Sequence, residues 1–266
     1  MKKIRTIVTI FICMLFIACE ESANIHLSTE ETNLIVVDGI ITSENTNHLI
    51  KLTHTYQNIN GTPEPVAGAS IEITDDSNNY SLTESPAGSG EYYTPTMRAV
   101  TGKSYTITIQ FENKTYTAQD SPVPVETLPA IQYYKIDNQY SLSLSNFGQD
   151  ANFVNHSISW KNTPACTSGD CESKVVYYDL KTIDINEIFK PKKEDLLFPA
   201  GSTIIRTKYS VSAAYRSYLR SMLSETEWHG GIFDVQRANV STNLSEGAVG
   251  FFATSTITSD TTMVTE

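Results

Sequence analysis

Cys166 and Cys171 are the pair whose type and spacing point most directly to chemistry. In an oxidising compartment they would join across Thr167-Ser-Gly-Asp170, with Gly169 relieving the backbone of so tight a loop. By the chain-entropy model so small a ring contributes about 2 kcal/mol. A metal would need two further ligands, and the sequence offers no second Cys pair and no close His pair. His48 and His54 do share a strand face with Ile50 and Leu52. Six residues at about 3.3 Å each hold them roughly 20 Å apart, too far to grip one ion. Asp75-Asp76 and Glu194-Asp195 lie in turn-like segments where solvation accounts for paired carboxylates, and Asp75-Asp-Ser-Asn-Asn79 lacks the spacing and distal Glu of an EF-hand loop. The chain has no Gly-x-Ser-x-Gly elbow, no His-Glu-x-x-His and no phosphate-binding Gly-x-x-x-x-Gly-Lys. The expectation is a protein that is not an enzyme and holds neither a metal nor a cofactor.

Cys19 is the other cysteine with a chemical role. Lys2, Lys3 and Arg5 form a positive start, the apolar run Ile10-Phe-Ile-Cys-Met-Leu-Phe-Ile-Ala18 follows, and Cys19 closes it. That order is a secretory signal, too short for the roughly 20 residues that cross a bilayer. Leu15-Phe-Ile-Ala-Cys19 resembles a lipobox, with Phe16 where Leu is usual. The resemblance implies a diacylglyceryl group on the Cys19 thiol, removal of residues 1–18 as a lipoprotein signal peptide, and further acylation (palmitate). The alternative is an ordinary cleaved signal. Buried acyl chains contribute about 0.8 kcal/mol per CH₂, so two or three anchor a protein durably. Glu20 and Glu21 open a polar segment, 19–32, that reads as an acidic tether. It is similar to the export signal that takes lipoproteins of the Bacteroidota to the outer face of the outer membrane. The bland reading is two Glu that solvate a tether.

Composition fits an extracytoplasmic life. Lys plus Arg is 19 and Asp plus Glu 30; without Lys2, Lys3 and Arg5 the balance is 16 against 30, a mature net charge of −14. Such a surface excludes nucleic acid as a partner, and it disfavours a polybasic grip on anionic lipid.

The elements that must position any site read as strands. Seven alternating runs lie between Leu34 and Asp120: Leu34 to Thr42, His48 to Tyr56, Ala69 to Thr74, Tyr80 to Glu84, Gly90 to Thr94, Ser104 to Phe111 and Thr115 to Asp120. Turn chemistry separates them at Asn60-Gly-Thr-Pro63, 75–79 and 85–90. They predict an immunoglobulin-like or prealbumin-like β-sandwich over 33–120. Ser121-Pro-Val-Pro-Val-Glu-Thr-Leu-Pro129 reads as a Pro-rich linker. A second β-rich domain, 130–266, follows, with runs Ile131 to Ile136, Ser141 to Phe147, Phe153 to Trp160, Lys174 to Asp184, Thr203 to Tyr209 and Ala248 to Thr254. It carries a disulfide hairpin and one amphipathic helix, about 211–228, in which Ser212 caps a stripe of Tyr215, Tyr218, Leu219, Met222 and Leu223 before Gly230-Gly231. The fold class is mainly β. Candidate ligand contacts are Tyr133, Tyr134, Trp160, Tyr177, Tyr178 and Trp228. Adjacent Tyr residues on a strand face opposite ways, so one of each pair can be exposed to stack on a sugar or peptide.

Leu34-Ile-Val-Val-Asp-Gly39, Pro65-Val-Ala-Gly-Ala-Ser-Ile-Glu-Ile-Thr-Asp75, Gly90-Glu-Tyr-Tyr93 and Gly102-Lys-Ser-Tyr-Thr-Ile-Thr-Ile109 occur in that order. Cys166 to Cys171, the helix around Tyr215 to Leu223, Gly231-Ile-Phe-Asp234 and Gly247-Ala-Val-Gly-Phe-Phe252 follow. The ordered set resembles a Bacteroidota outer-membrane lipoprotein family, domain of unknown function forty-two forty-nine. Val235-Gln-Arg-Ala238 departs from it by lacking a Pro-rich run. The resemblance implies a lipid-anchored protein facing the cell exterior, an accessory that binds or gates for a TonB-dependent transporter. It implies no catalytic residues. A structural or adhesive surface module and an extracellular hydrolase are the competing expectations.

Overall fold

Alternation makes the strands, and the inward half of each makes the core. The computed structural model describes residues 34–56, 61–144, 148–167, 169–192, 195–231 and 240–265. In it β1 (Ile35–Thr42) buries Ile35, Val37 and Ile41, β2 (Leu49–His54) buries Ile50 and Leu52, and β7 (Tyr105–Phe111) buries Tyr105, Ile107 and Ile109. Each such aliphatic side chain contributes about 1.5–3 kcal/mol on leaving water. One sheet runs β14 (Ala248–Ser255), β1, β2, β6 (Glu91–Tyr93), β5 (Thr83–Glu84); the facing sheet runs β4 (Asn79–Ser81), β3 (Ser70–Thr74), β7, β8 (Lys114–Asp120). Their inner faces share a single buried cluster, so the two sheets form a sandwich. The run Tyr80–Glu84, expected as one strand, divides: β4 pairs with β3, and β5 with β6 in the opposite sheet.

Residues 33–120 supply eight of the sandwich strands, and the ninth, β14, comes from within 130–266. It lies parallel to β1, Ile35 opposite Ala248 through Thr42 opposite Ser255. Gly250 makes the approach possible. It adopts φ +92°, and a Cβ there would collide with the carbonyl oxygen of Val37. Beyond β14 the chain continues into β15 (Ile257–Met263), which joins a second group of strands ordered β12 (Glu172–Asp179), β11 (Asn152–Ser159), β13 (Thr203–Ser210), β15.

The crossing is pinned on all sides. Buried Asp120 accepts from Thr254 N at 2.7 Å, Ser210 Oγ accepts from Thr256 N at 2.9 Å, and Ser43 Oγ accepts from Ile257 N at 2.9 Å. Thr256 Oγ1 donates to the carbonyl of Val123 at 2.6 Å, which holds the Pro-rich segment 121–129 against the strands it connects.

The hairpin β9 (Tyr133–Ile136) and β10 (Gln139–Leu142) packs its Tyr140 and Leu142 with Ile158, Phe198, Ile204 and Val264. Residues 145–147, the end of the expected run Ser141 to Phe147, lie outside the described residues. The expected strand Lys174 to Asp184 stops at Asp179, because Asp184 caps a helical turn, α1 (Ile185–Ile188), by accepting from Asn186 N at 3.0 Å. The longer helix α2 (Ala213–Glu225) begins as its sequence predicts, with Ser212 Oγ accepting from Tyr215 N at 3.1 Å. It ends before Gly230-Gly231, where the N–H groups of Thr226 and Trp228 both turn back to the carbonyl of Leu223. Leu219 and Leu223 pack with Leu180, Val211 and Trp228. On the sandwich side Tyr215 and Tyr218 stack near Phe251 of β14, with ring centroids 5.0 and 5.1 Å apart. The fold is mainly β, with two helices among the described residues.

Candidate functional site

A cleft of about 820 Å³ opens beside β12, the edge of its sheet. Five consecutive β12 residues, Lys174 to Tyr178, line one wall. Side chains alternate faces along a strand, so a groove touching five in a row runs along the strand margin. Leu142, Leu144 and Trp228, the last only 3% exposed, line it as well. Glu187 and Ile188 of α1 also belong to its lining. α1 is held there by an ion pair, Arg220 Nε to Asp184 Oδ2 at 2.7 Å, which ties it to α2.

The lining mixes apolar and charged side chains. Lys190 places Nζ 5.9 Å from the centroid of the Trp228 ring, within reach of a cation–π attraction. Lys174, Lys192 and Asp195 add charges of both signs. Burial pushes the Glu187 carboxyl above its usual range against the pull of Lys190. Burial also raises the Tyr177 phenol, helped by the Asp195 carboxylate and by Tyr134. Such a groove suits a ligand with a flat or apolar body and polar edges, because rings and leucines take the body while lysines and carboxylates meet the edges.

Tyr177, Tyr178 and Trp228, three of the six aromatic candidates, therefore meet at one cleft. Tyr134, 46% exposed, lies on β9 close enough to Tyr177 to affect its phenol. Tyr133 turns away: its ring packs edge-on against Tyr140 at 5.7 Å, and its hydroxyl accepts from Thr265 N at 3.1 Å. Trp160 packs against the core of that hairpin, and its backbone N–H donates to the carbonyl of Cys171 at 2.9 Å. Cys166 and Cys171 form a disulfide, with Cα atoms 5.6 Å apart, and it closes the loop that follows β11. Cys19 lies outside the described residues.

Two of the described histidines, His48 and His156, are buried. His48 is buried with Nε2 3.1 Å from the carbonyl of Met97, and burial lowers its pKa. His54 lies beside the ring of Phe111 at 6.1 Å. Asp75 organises a turn. Burial alone would raise its pKa, but hydrogen bonds from Lys103, Ser77 and Asn78 outweigh that and hold it at about 2. Glu194 lies outside the described residues. Among the described residues no group of three His, Cys, Asp or Glu converges as a metal site, and no helix is long and apolar enough to cross a membrane.

Periodicity could not find the cleft, because its lining is gathered from separate segments between Ser141 and Trp228. One local signal for α1 was present: Asp184 followed three residues later by Glu187 is the pattern of a capping box.

A family model described as Domain of unknown function (DUF4249) matches residues 20–261. Comparison with curated proteins finds no match.

Proposed function

The chain belongs to this family of unknown function, and from that premise we propose that it is a non-catalytic lipoprotein, anchored through acylated Cys19 on the exterior of a bacterial outer membrane, that binds or gates for a TonB-dependent nutrient transporter. The cleft beside β12 carries the reading. Its lining combines Tyr177, Tyr178, Trp228, Leu142 and Leu144 with Lys174, Glu187, Lys190, Lys192 and Asp195, which is the equipment of a binding surface. The family match opens at residue 20, directly after Cys19, which supports cleavage before that cysteine. The 19–32 tether, with Glu20 and Glu21 at its start, supports the exterior face.

The experiment is affinity purification of the tagged, lipidated protein from detergent-solubilised outer membrane, with co-purifying proteins identified by mass spectrometry. Wild type is expected to bring down a TonB-dependent transporter that Cys19→Ala does not. Wild type recovered from the cell surface with no transporter would transfer the reading to a structural or adhesive module. Exposed apolar side chains around α1, Ile183 at 89% and Ile188 at 62%, favour that second reading.

A further inference from the structure

We propose that Lys208 and Asp150 are joined by an isopeptide bond, Nζ to Cγ, which the folded chain forms itself with Glu126 as proton carrier. The proposal is independent of the cleft and of the transporter. Three observations carry it. Lys208, on the inward face of β13, has no exposed side-chain surface, and its Nζ lies 2.6 Å from Oδ1 of Asp150. The second oxygen of Asp150, Oδ2, is buried without a hydrogen-bond partner. Glu126, from the Pro-rich segment 121–129, enters the same space and accepts from Gln149 N at 2.9 Å.

Gly148 shows how closely the three groups converge. At φ +89° it presents no side chain, and a Cβ there would stand 2.7 Å from Glu126 Oε2, 2.9 Å from Lys208 Nζ and 3.1 Å from Asp150 Oδ1. A nucleophile, an electrophilic carbon and an acid–base group thus surround one point that only glycine leaves open. Arg206, two positions before Lys208 on β13, is paired with Asp260 in a two-pronged contact at 2.8 and 2.6 Å.

Lys208 gives up its hydration entirely while Asp150 stays 22% exposed, and the buried Oδ2 of Asp150 receives no bond in return. Condensation removes both charges. The Lys208 ammonium gives one proton to Asp150, and the neutral amine attacks Cγ. A second nitrogen proton passes through the Glu126 carboxylate to the departing oxygen, so a C–N bond forms, a C–O bond breaks and one water leaves. No oxidant or co-reactant is needed. Free in water the equilibrium favours hydrolysis, but groups held in contact act at effective molarities of about 10⁵ M or more. The bond would close a ring from 150 to 208 around the 166–171 disulfide.

Peptide-mapping mass spectrometry of the purified, reduced chain tests this without a variant. Trypsin should release residues 136–161 and 207–216 as one species, lighter by one water than the two together, because acylated Lys208 is no longer cleaved. Recovery of the two peptides apart, with cleavage after Lys208, would overturn the proposal. Glu126→Gln, confirmed as folded by circular dichroism, is expected to give the unlinked peptides. Linkage as complete as in wild type would remove Glu126 from the chemistry.

Discussion

His156 is flanked on its sheet by Arg206 of β13 and Val175 of β12. Burial, followed by the Arg206 charge, depresses its pKa from 6.5 to about 4. The folded state therefore resists a proton that the unfolded chain accepts. The neutral imidazole contributes stability that is complete above pH 6.5 and lost as pH falls towards 4. His48, lowered by its own burial, works in the same direction. Denaturant unfolding of wild type should show stability falling across that window, and His156→Gln should flatten the fall. An unchanged slope would contradict the burial argument. At this scale the sequence displayed the cysteine pair and the aromatic candidates. It concealed the charged face of the sheet that holds β13, because the strand pattern of Thr203 to Tyr209 places Ile204, Arg206 and Lys208 on one side, and charge at an inward position reads as surface until its neighbours are known.

Asp120 closes β8 and holds the start of the β14–β15 crossing, accepting from both Thr254 N and Thr254 Oγ1. Burial raises its pKa while these bonds and one from Ser212 oppose the rise. Asp120→Ala would leave a buried N–H unpaired and should destabilise the protein by about 1–3 kcal/mol, measured as a fall in unfolding free energy in urea. A change within a few tenths of a kcal/mol would mean that the crossing does not depend on Asp120. The elements of the first half were legible because Ile107 and Ile109 alternate with Thr106 and Thr108 between turn-forming segments. β15 was not, because Thr258, Asp260 and Thr262 occupy positions where an inward strand face would show apolar residues, and they pair instead with Lys208, Arg206 and Ile204. The parallel pairing of β14 with β1 joins residues more than two hundred apart, a distance that local patterning does not reach.

The described residues combine a two-sheet sandwich completed by β14, a further sheet (β12–β11–β13–β15) tied to it at Thr254–Ile257, and a cleft beside the β12 edge of that further sheet. The proposed anchor at Cys19 predicts that metabolically supplied palmitate labels wild type and leaves Cys19→Ala unlabelled; equal labelling of both would contradict it. The central claim is that the β12 cleft binds a ligand, and Trp228 reports on it directly. The chain has two tryptophans, so in Trp160→Phe the only indole left is the one at the cleft. Titrating that protein with mixed oligosaccharides and, separately, mixed oligopeptides while reading indole fluorescence should give a saturable change with one of the two. Tyr177→Ala in the same background should abolish it. If neither mixture moves the Trp228 signal, or if the signal survives loss of Tyr177 unchanged, the cleft is not the binding surface proposed here.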